Sequence, residues 1–173
     1  NIDVLFLGSS HAYRGFDTRI FQRNDISSFN LGSSSQTPVQ TLMLLEKYLD
    51  QLNPSLIIYE VYPEIFCLDG VESSLDLVAN DVIDIHTLKM ALKVNHIKTY
   101  NALTYSWLRQ FYGNWGDFQE PVISGMDKYI TGGGFVEHRM SYFKHIMHEP
   151  IILDFNRVQW KAFDGAIAKI KKK

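Results

Sequence analysis

Residues 4–17 read "VLFLGSSHAYRGFD", a run of four apolar side chains broken by Gly8-Ser9-Ser10-His11. An apolar run without alternation is what a β-strand covered on both faces requires, and the small residues behind it predict a tight turn into a helix. In open parallel sheets, the residues just beyond the carboxyl ends of the strands are those that meet ligands. Two hydroxyls and an imidazole side by side at such a point mark a candidate site.

Working outward, residues 2–7 predict the first strand and residues 18–23 a short helix, with Ile20 and Phe21 as its apolar contacts. Residues 27–31, "SSFNL", predict a second strand that ends at Gly32 and three serines. Thr37-Pro38-Val39-Gln40 then combines an N-cap, a proline at the first helical position and a capping-box glutamine. The helix it starts runs to Leu52, with Val39, Leu42, Met43, Leu49 and Leu52 on one face, and Asn53-Pro54 stops it. Residues 55–61, "SLIIYEV", predict a third strand, apolar enough to be central. Strand, helix, strand, helix, strand is the rhythm of a parallel sheet with right-handed crossovers, so the fold class is α/β.

Residues 62–113 change to a helical pattern, carried by Leu75, Leu77 and Val78, then by residues 88–92 and 100–111. They predict a helical insertion at about residues 65–115. Gly132-Gly133-Gly134 predicts a mobile loop or a hairpin turn. A final helix is expected with Asp154 as N-cap and with Val158, Ala162, Phe163, Ala166, Ile167 and Ile170 towards the core. With 173 residues, 46% of them hydrophobic, the chain has material for one sizeable core, and residues 1–173 read as a single domain.

A net charge of -2 gives no electrostatic footprint for nucleic acid or for an anionic membrane surface. Lys171-Lys172-Lys173 reads as a solvated helix end, and the single cysteine, Cys67, excludes an internal disulfide framework. No apolar stretch reaches the roughly 18 residues of a membrane span, and no signal-peptide pattern opens the chain. The first residues run straight into a strand and the last stop on a helix, as expected of a piece of a longer protein.

Three strand ends converge: Gly8-Ser9-Ser10-His11, Gly32-Ser33-Ser34-Ser35-Gln36, and Glu60-Val61-Tyr62-Pro63-Glu64. A serine opening a helix presents a hydroxyl and its own N–H together, a pairing suited to attack on an acyl carbon and to holding the resulting oxyanion. Gly32 lets a second N–H approach the same point. The plain alternative is a turn in which a serine caps the helix and Gly32 merely leaves the strand.

"FLGSSHAYRGFD" and "FNLGSSSQTP" resemble the first two blocks of the SGNH (GDSL-like) hydrolase superfamily, and the resemblance covers residues 1–65. It implies a three-layer α/β/α, flavodoxin-like fold with its final strands missing from this chain. Ser10 matches the nucleophile, Ser9 the place often held by aspartate, and Gly32 the oxyanion-hole glycine, with the Ser10 amide as the other donor. The implied function is a serine esterase, acyl hydrolase or acyltransferase, and Gly-Ser-Ser relatives imply O-acyl groups of bacterial envelope polysaccharides as substrates. No metal or organic cofactor is implied.

Two departures follow. Where the family supplies an asparagine after the third strand, this chain has "IIYEVYPEIF"; Tyr62 or Gln36 is the alternative donor, since an ionised Glu60 or Glu64 would repel the developing charge. No Asp-x-x-His occurs in these residues to supply the base, so the segment carrying it is expected beyond Lys173 and the chain alone is expected to be inactive. His11 adjoins Ser10 but diverges from it around the helix; His138, His145 and His148 come late in the chain. The rival is a non-catalytic module that binds a glycan or other anionic ligand on the same scaffold. His145 and His148, beside Glu149, lack a further ligand for a metal, the aromatic residues Tyr105, Trp107, Phe111, Tyr112 and Trp115 read as packing, and Glu60 and Glu64 as solvent-facing or helix-capping.

Overall fold

The computed structural model of the chain describes residues 1–112, 122–130, 132–139 and 152–173. Its first sheet has three parallel strands in the order β2-β1-β3: β1 (Val4–Leu7), β2 (Ser28–Asn30) and β3 (Leu56–Tyr59). Leu5 pairs with Phe29 on one side and Ile57 on the other. The protein is thus a mixed α/β chain built round a parallel sheet. All four β1 side chains are buried, as an unalternating apolar run in the middle strand must be.

The third strand is outer rather than central, because among the described residues β3 pairs with β1 alone. Its apolar run serves one inward face: Ile57 and Tyr59 pack on the core while Leu56 is 53% exposed.

Between β1 and β2 lie α1 (Ser10–Gly15) and α2 (Thr18–Gln22), the latter capped by Asp17, which accepts the Arg19 N–H at 3.0 Å. Between β2 and β3 runs α3 (Pro38–Leu52). The Gln40 side chain reaches back to accept the Thr37 N–H at 3.2 Å and the Thr37 hydroxyl, so the capping sequence works as its spacing predicts. Asn53 ends the helix in the left-handed region.

After β3 come a 3-10 turn (Pro63–Phe66) and three helices, α4 (Val71–Asn80), α5 (Ile85–Val94) and α6 (Ile97–Phe111). A second, antiparallel sheet follows: β4 (Ile123–Ser124), β5 (Asp127–Ile130) and β6 (Phe135–His138). The glycine run makes the tight turn into β6 and fastens the hairpin to the first sheet. The Gly133 carbonyl accepts the Asn30 N–H at 2.9 Å, and a side chain on Gly134, whose φ is +69°, would run into the Asn30 carbonyl.

The last helix, α7 (Arg157–Lys171), packs on α3. Its cap is Asn156, not Asp154: the Asn156 side chain accepts the Val158 N–H at 2.9 Å. The start shifts accordingly, leaving Val158 exposed and turning Gln159 inward, where it accepts the Val39 N–H at 3.1 Å and donates to the Leu68 carbonyl at 3.2 Å. Ala162 and Ala166 are buried as expected, and Gly165 lets Leu42 approach. No described helix is long and apolar enough to cross a membrane.

Candidate functional site

The chain leaves β1 for β2 on one side and returns for β3 on the other, so the carboxyl ends of β1 and β3 flank the point where the winding reverses. Gly8 stands there with φ +140°, and a β-carbon on it would lie 2.6 Å from the Glu60 carboxylate. Only glycine admits that approach. Glu60, just past the tip of β3, is half-buried and turned to the serine turn: its Oε2 accepts both the Ser9 N–H and the Ser9 hydroxyl, each at 2.8 Å.

Ser9 is buried and is the N-cap of α1, its Oγ accepting the His11 N–H at 3.3 Å. The same Oγ lies 3.1 Å from His11 Nδ1. With the hydroxyl proton directed to Glu60, Nδ1 is the donor to Ser9. The His11 ring rests against Tyr62 with centroids 4.7 Å apart. His11 therefore serves Ser9, and no hydrogen bond joins it to Ser10 among the described residues.

Ser10 is different. It is half-exposed at the first position of α1, and neither its hydroxyl nor its N–H has an acceptor among the described residues. Gly32 does come to the same place: a β-carbon on it would lie 3.1 Å from the Gly8 carbonyl and 3.2 Å from that of Ser9. Its N–H, however, donates to Asn30 Oδ1 at 2.9 Å, while Asn30 Nδ2 donates to the Ala12 carbonyl at 2.8 Å. That bond takes the Gly32 amide out of the oxyanion role expected of it in this geometry.

The alternative donors fare no better. Gln36 is wholly buried, with its amide nitrogen donating to Thr41 Oγ1 at 2.9 Å and its oxygen accepting from Ser33 at 3.0 Å. The capping network of α3 has absorbed it. Tyr62 is half-exposed, and hydrogen bonding to the Glu64 carboxylate pushes its phenol above the ordinary range.

Beside this turn opens a cleft of about 410 Å³, walled by α1, the end of β2, α4 and the β4–β6 hairpin, with Tyr13, Arg14, Gly32, Ser33, Asp76 and Tyr129 among its lining. Ser10 does not line it. It lies three and four residues before Tyr13 and Arg14, which places it on the same face of α1, one turn nearer the helix start. Burial raises the Asp76 carboxyl, against the lowering effect of the Asn80 side chain and the Ser34 N–H. Burial also raises the Tyr13 phenol. Arg14 pairs with Asp127 at 2.8 Å and so ties α1 to the hairpin. His138 donates to the other oxygen of Asp127 at 2.6 Å, and that hydrogen bond is the main cause of the lowered Asp127 pKa.

No family model, curated protein or solved structure matches this chain.

The remaining described imidazoles are committed elsewhere. His86 meets Glu46 at 3.3 Å, and His96 caps α6 by accepting the Lys98 N–H at 3.2 Å. His145, His148, Glu149 and Trp115 lie outside the described residues. Among the described residues no group of three or more His, Cys, Asp or Glu side chains is arranged to hold a metal ion. Tyr105, Trp107, Phe111 and Tyr112 are not packing residues: all four are well exposed on or just after α6. Two site residues, Asn30 and Asp76, were missed in the sequence, and a third, Glu60, was seen there but read as solvent-facing or helix-capping. Asn30 and Glu60 each close a strand of the parallel sheet with a polar group, a signal in plain view; Asp76 reaches its cleft only through the packing of α4.

Proposed function

We propose that the chain carries the nucleophile end of a serine acyl hydrolase or acyltransferase of SGNH type, acting on an ester-linked acyl group. The observation that carries the reading is the division of labour between two adjacent serines. Ser9 is pinned by Glu60 and His11, whereas the Ser10 hydroxyl and N–H both remain unengaged among the described residues. The strand order β2-β1-β3, with its reversal at the β1 and β3 tips, supports a doubly wound, flavodoxin-like three-layer α/β/α fold, in which α4 to α6 form an insertion.

In this reading Ser10 Oγ attacks the acyl carbon and gives its proton to a base. The Ser10 N–H stabilises the oxyanion, and the alcohol departs as an acyl-serine forms. Water or an acceptor hydroxyl then takes the acyl group. The base is a histidine brought from outside the described residues, since none of the described imidazoles contacts Ser10. The adjoining cleft, with two phenols, a guanidinium and two carboxyl groups, suits a hydroxyl-rich acyl carrier such as an O-acylated glycan.

A second reading, a non-catalytic module that binds a polar ligand in the cleft, is favoured by one observation: Asn30 already holds the Gly32 N–H. Treating the full-length protein with a fluorophosphonate probe separates the two. Labelling that disappears in Ser10→Ala is the result expected of the hydrolase. Absence of labelling, or labelling that survives the substitution, overturns it in favour of the module.

A further inference from the structure

The net charge of -2 conceals a sharply one-sided region. Helices α5 and α6, "IHTLKMALKV" and "IKTYNALTYSWLRQF", carry Lys89, Lys93, Lys98 and Arg109 and not one acidic residue. On α5, Ile85, Leu88 and Leu92 share the outer face with Lys89 and Lys93, at the three- and four-residue spacing that makes one stripe. On α6, Trp107 is 55% and Phe111 74% exposed, and their rings stack with centroids 6.0 Å apart.

The two stripes are continuous. An apolar groove of about 430 Å³ joins Ile85 and Leu88 of α5 to Leu103, Thr104 and Trp107 of α6. The carboxylates bordering it are already engaged. Lys47 pairs with Asp81 at 2.8 Å and with Asp84 at 3.4 Å, Asp84 also caps α5, and Glu46 on α3 meets His86. Neither Lys89 nor Lys93 is paired with an acidic side chain among the described residues.

A face that mixes exposed leucine, isoleucine, tryptophan and phenylalanine with lysine alone has the make-up of a surface that lies in a lipid headgroup region. The rings and branched chains enter the acyl boundary while the lysine stems reach up to phosphates. A second copy of the chain is a poor occupant, because an isologous contact would gather two copies of Lys89 and Lys93 into one interface while Asp84, the carboxylate in the groove, is already held by Lys47. We propose that the α5–α6 face docks this protein peripherally on a bilayer rich in anionic headgroups. The inference is independent of the chemistry at Ser10.

The experiment is co-sedimentation of the protein with sucrose-loaded vesicles of pure phosphatidylcholine, and with vesicles in which about a third of the lipid is phosphatidylserine. The protein is expected to pellet with the anionic vesicles and to stay in solution with the neutral ones. The double substitution Lys89→Gln/Lys93→Gln should weaken binding about thirtyfold, at roughly fivefold per lysine near an anionic surface. Trp107→Ser/Phe111→Ser should weaken it independently of salt, whereas the lysine contribution should fade in high salt. These side chains are exposed, so circular dichroism should show each variant folded. Failure to bind anionic vesicles, equal binding to both compositions, or concentration-dependent dimerisation abolished by the aromatic variant would each overturn the proposal, the last in favour of a protein–protein contact.

Discussion

Glu60 is asked to hold the turn that presents Ser10, and the strength of that hold can be measured. Glu60→Ala removes an acceptor shared by the Ser9 N–H and the Ser9 hydroxyl, both at 2.8 Å. Ser9 is only 3% exposed, so its N–H would be left without a partner in a place water scarcely reaches. A hydrogen bond to a charged group contributes about 1.5–3 kcal/mol, and Glu60 is itself only half-buried, which argues for the lower end of that range for each of the two bonds. The expected loss is about 3 kcal/mol, a fall in Tm of roughly 6–12 °C for a chain of this size.

Ser9→Ala spares the N–H bond but removes the hydroxyl bond and the cap on α1, for an expected loss of about 2 kcal/mol. The two substitutions therefore overlap in one shared bond. Urea unfolding of both single variants and the double variant, followed by circular dichroism, should give a coupling energy of about 1–2 kcal/mol. Additivity within about 0.5 kcal/mol would refute the claim that Glu60 holds Ser9, and with it the argument for why Ser10 and not Ser9 is left free.

Asp76 offers a test with a sign. Burial raises its folded pKa above the unfolded value of 3.8, so the stability it contributes is fully present below that pH and is lost as pH rises through the folded pKa. Asp76→Asn should accordingly unfold at a higher temperature than the parent at pH 7, with the gap closing as the pH falls below 3.8; a variant less stable at pH 7 would show that the carboxylate is favoured there. Gln159→Leu should lower stability by about 1–3 kcal/mol in urea, since it orphans the buried Val39 N–H and the Leu68 carbonyl together. An unchanged midpoint would mean that the contact between α7 and the start of α3 is held by the alanines alone.

What could be read in the sequence was local. The buried first strand, the cap on α3 and the helix-rich stretch after β3 all follow from patterns of a few neighbouring residues, and each stands where it was expected. The misreadings concern groups whose surroundings the local pattern does not show. Glu60 looked solvated because its partner lies 51 residues earlier, and Gln36 looked able to reach the site because nothing local shows that Thr41 and Ser33 enclose it. The α6 aromatics read as packing by residue type alone, although the four-residue spacing of Trp107 and Phe111 holds equally for an outward face. Asp154 and Asn156 are both good caps, and what separates them is the fit of Gln159 against α3.

The Arg14–Asp127 pair joins residues 113 apart, and the Gln159–Val39 contact joins residues 120 apart. At the ribosome, where domains emerge at about 5–20 residues per second, β3 is out roughly 4–16 seconds before the hairpin that walls the cleft. During that interval the nascent chain displays the serine turn on a sheet with one side bare, and closure waits on loops whose ends must find each other across most of the chain. The contacts that wall the cleft and seat α7 on α3 are therefore among the last that the emerging chain can make.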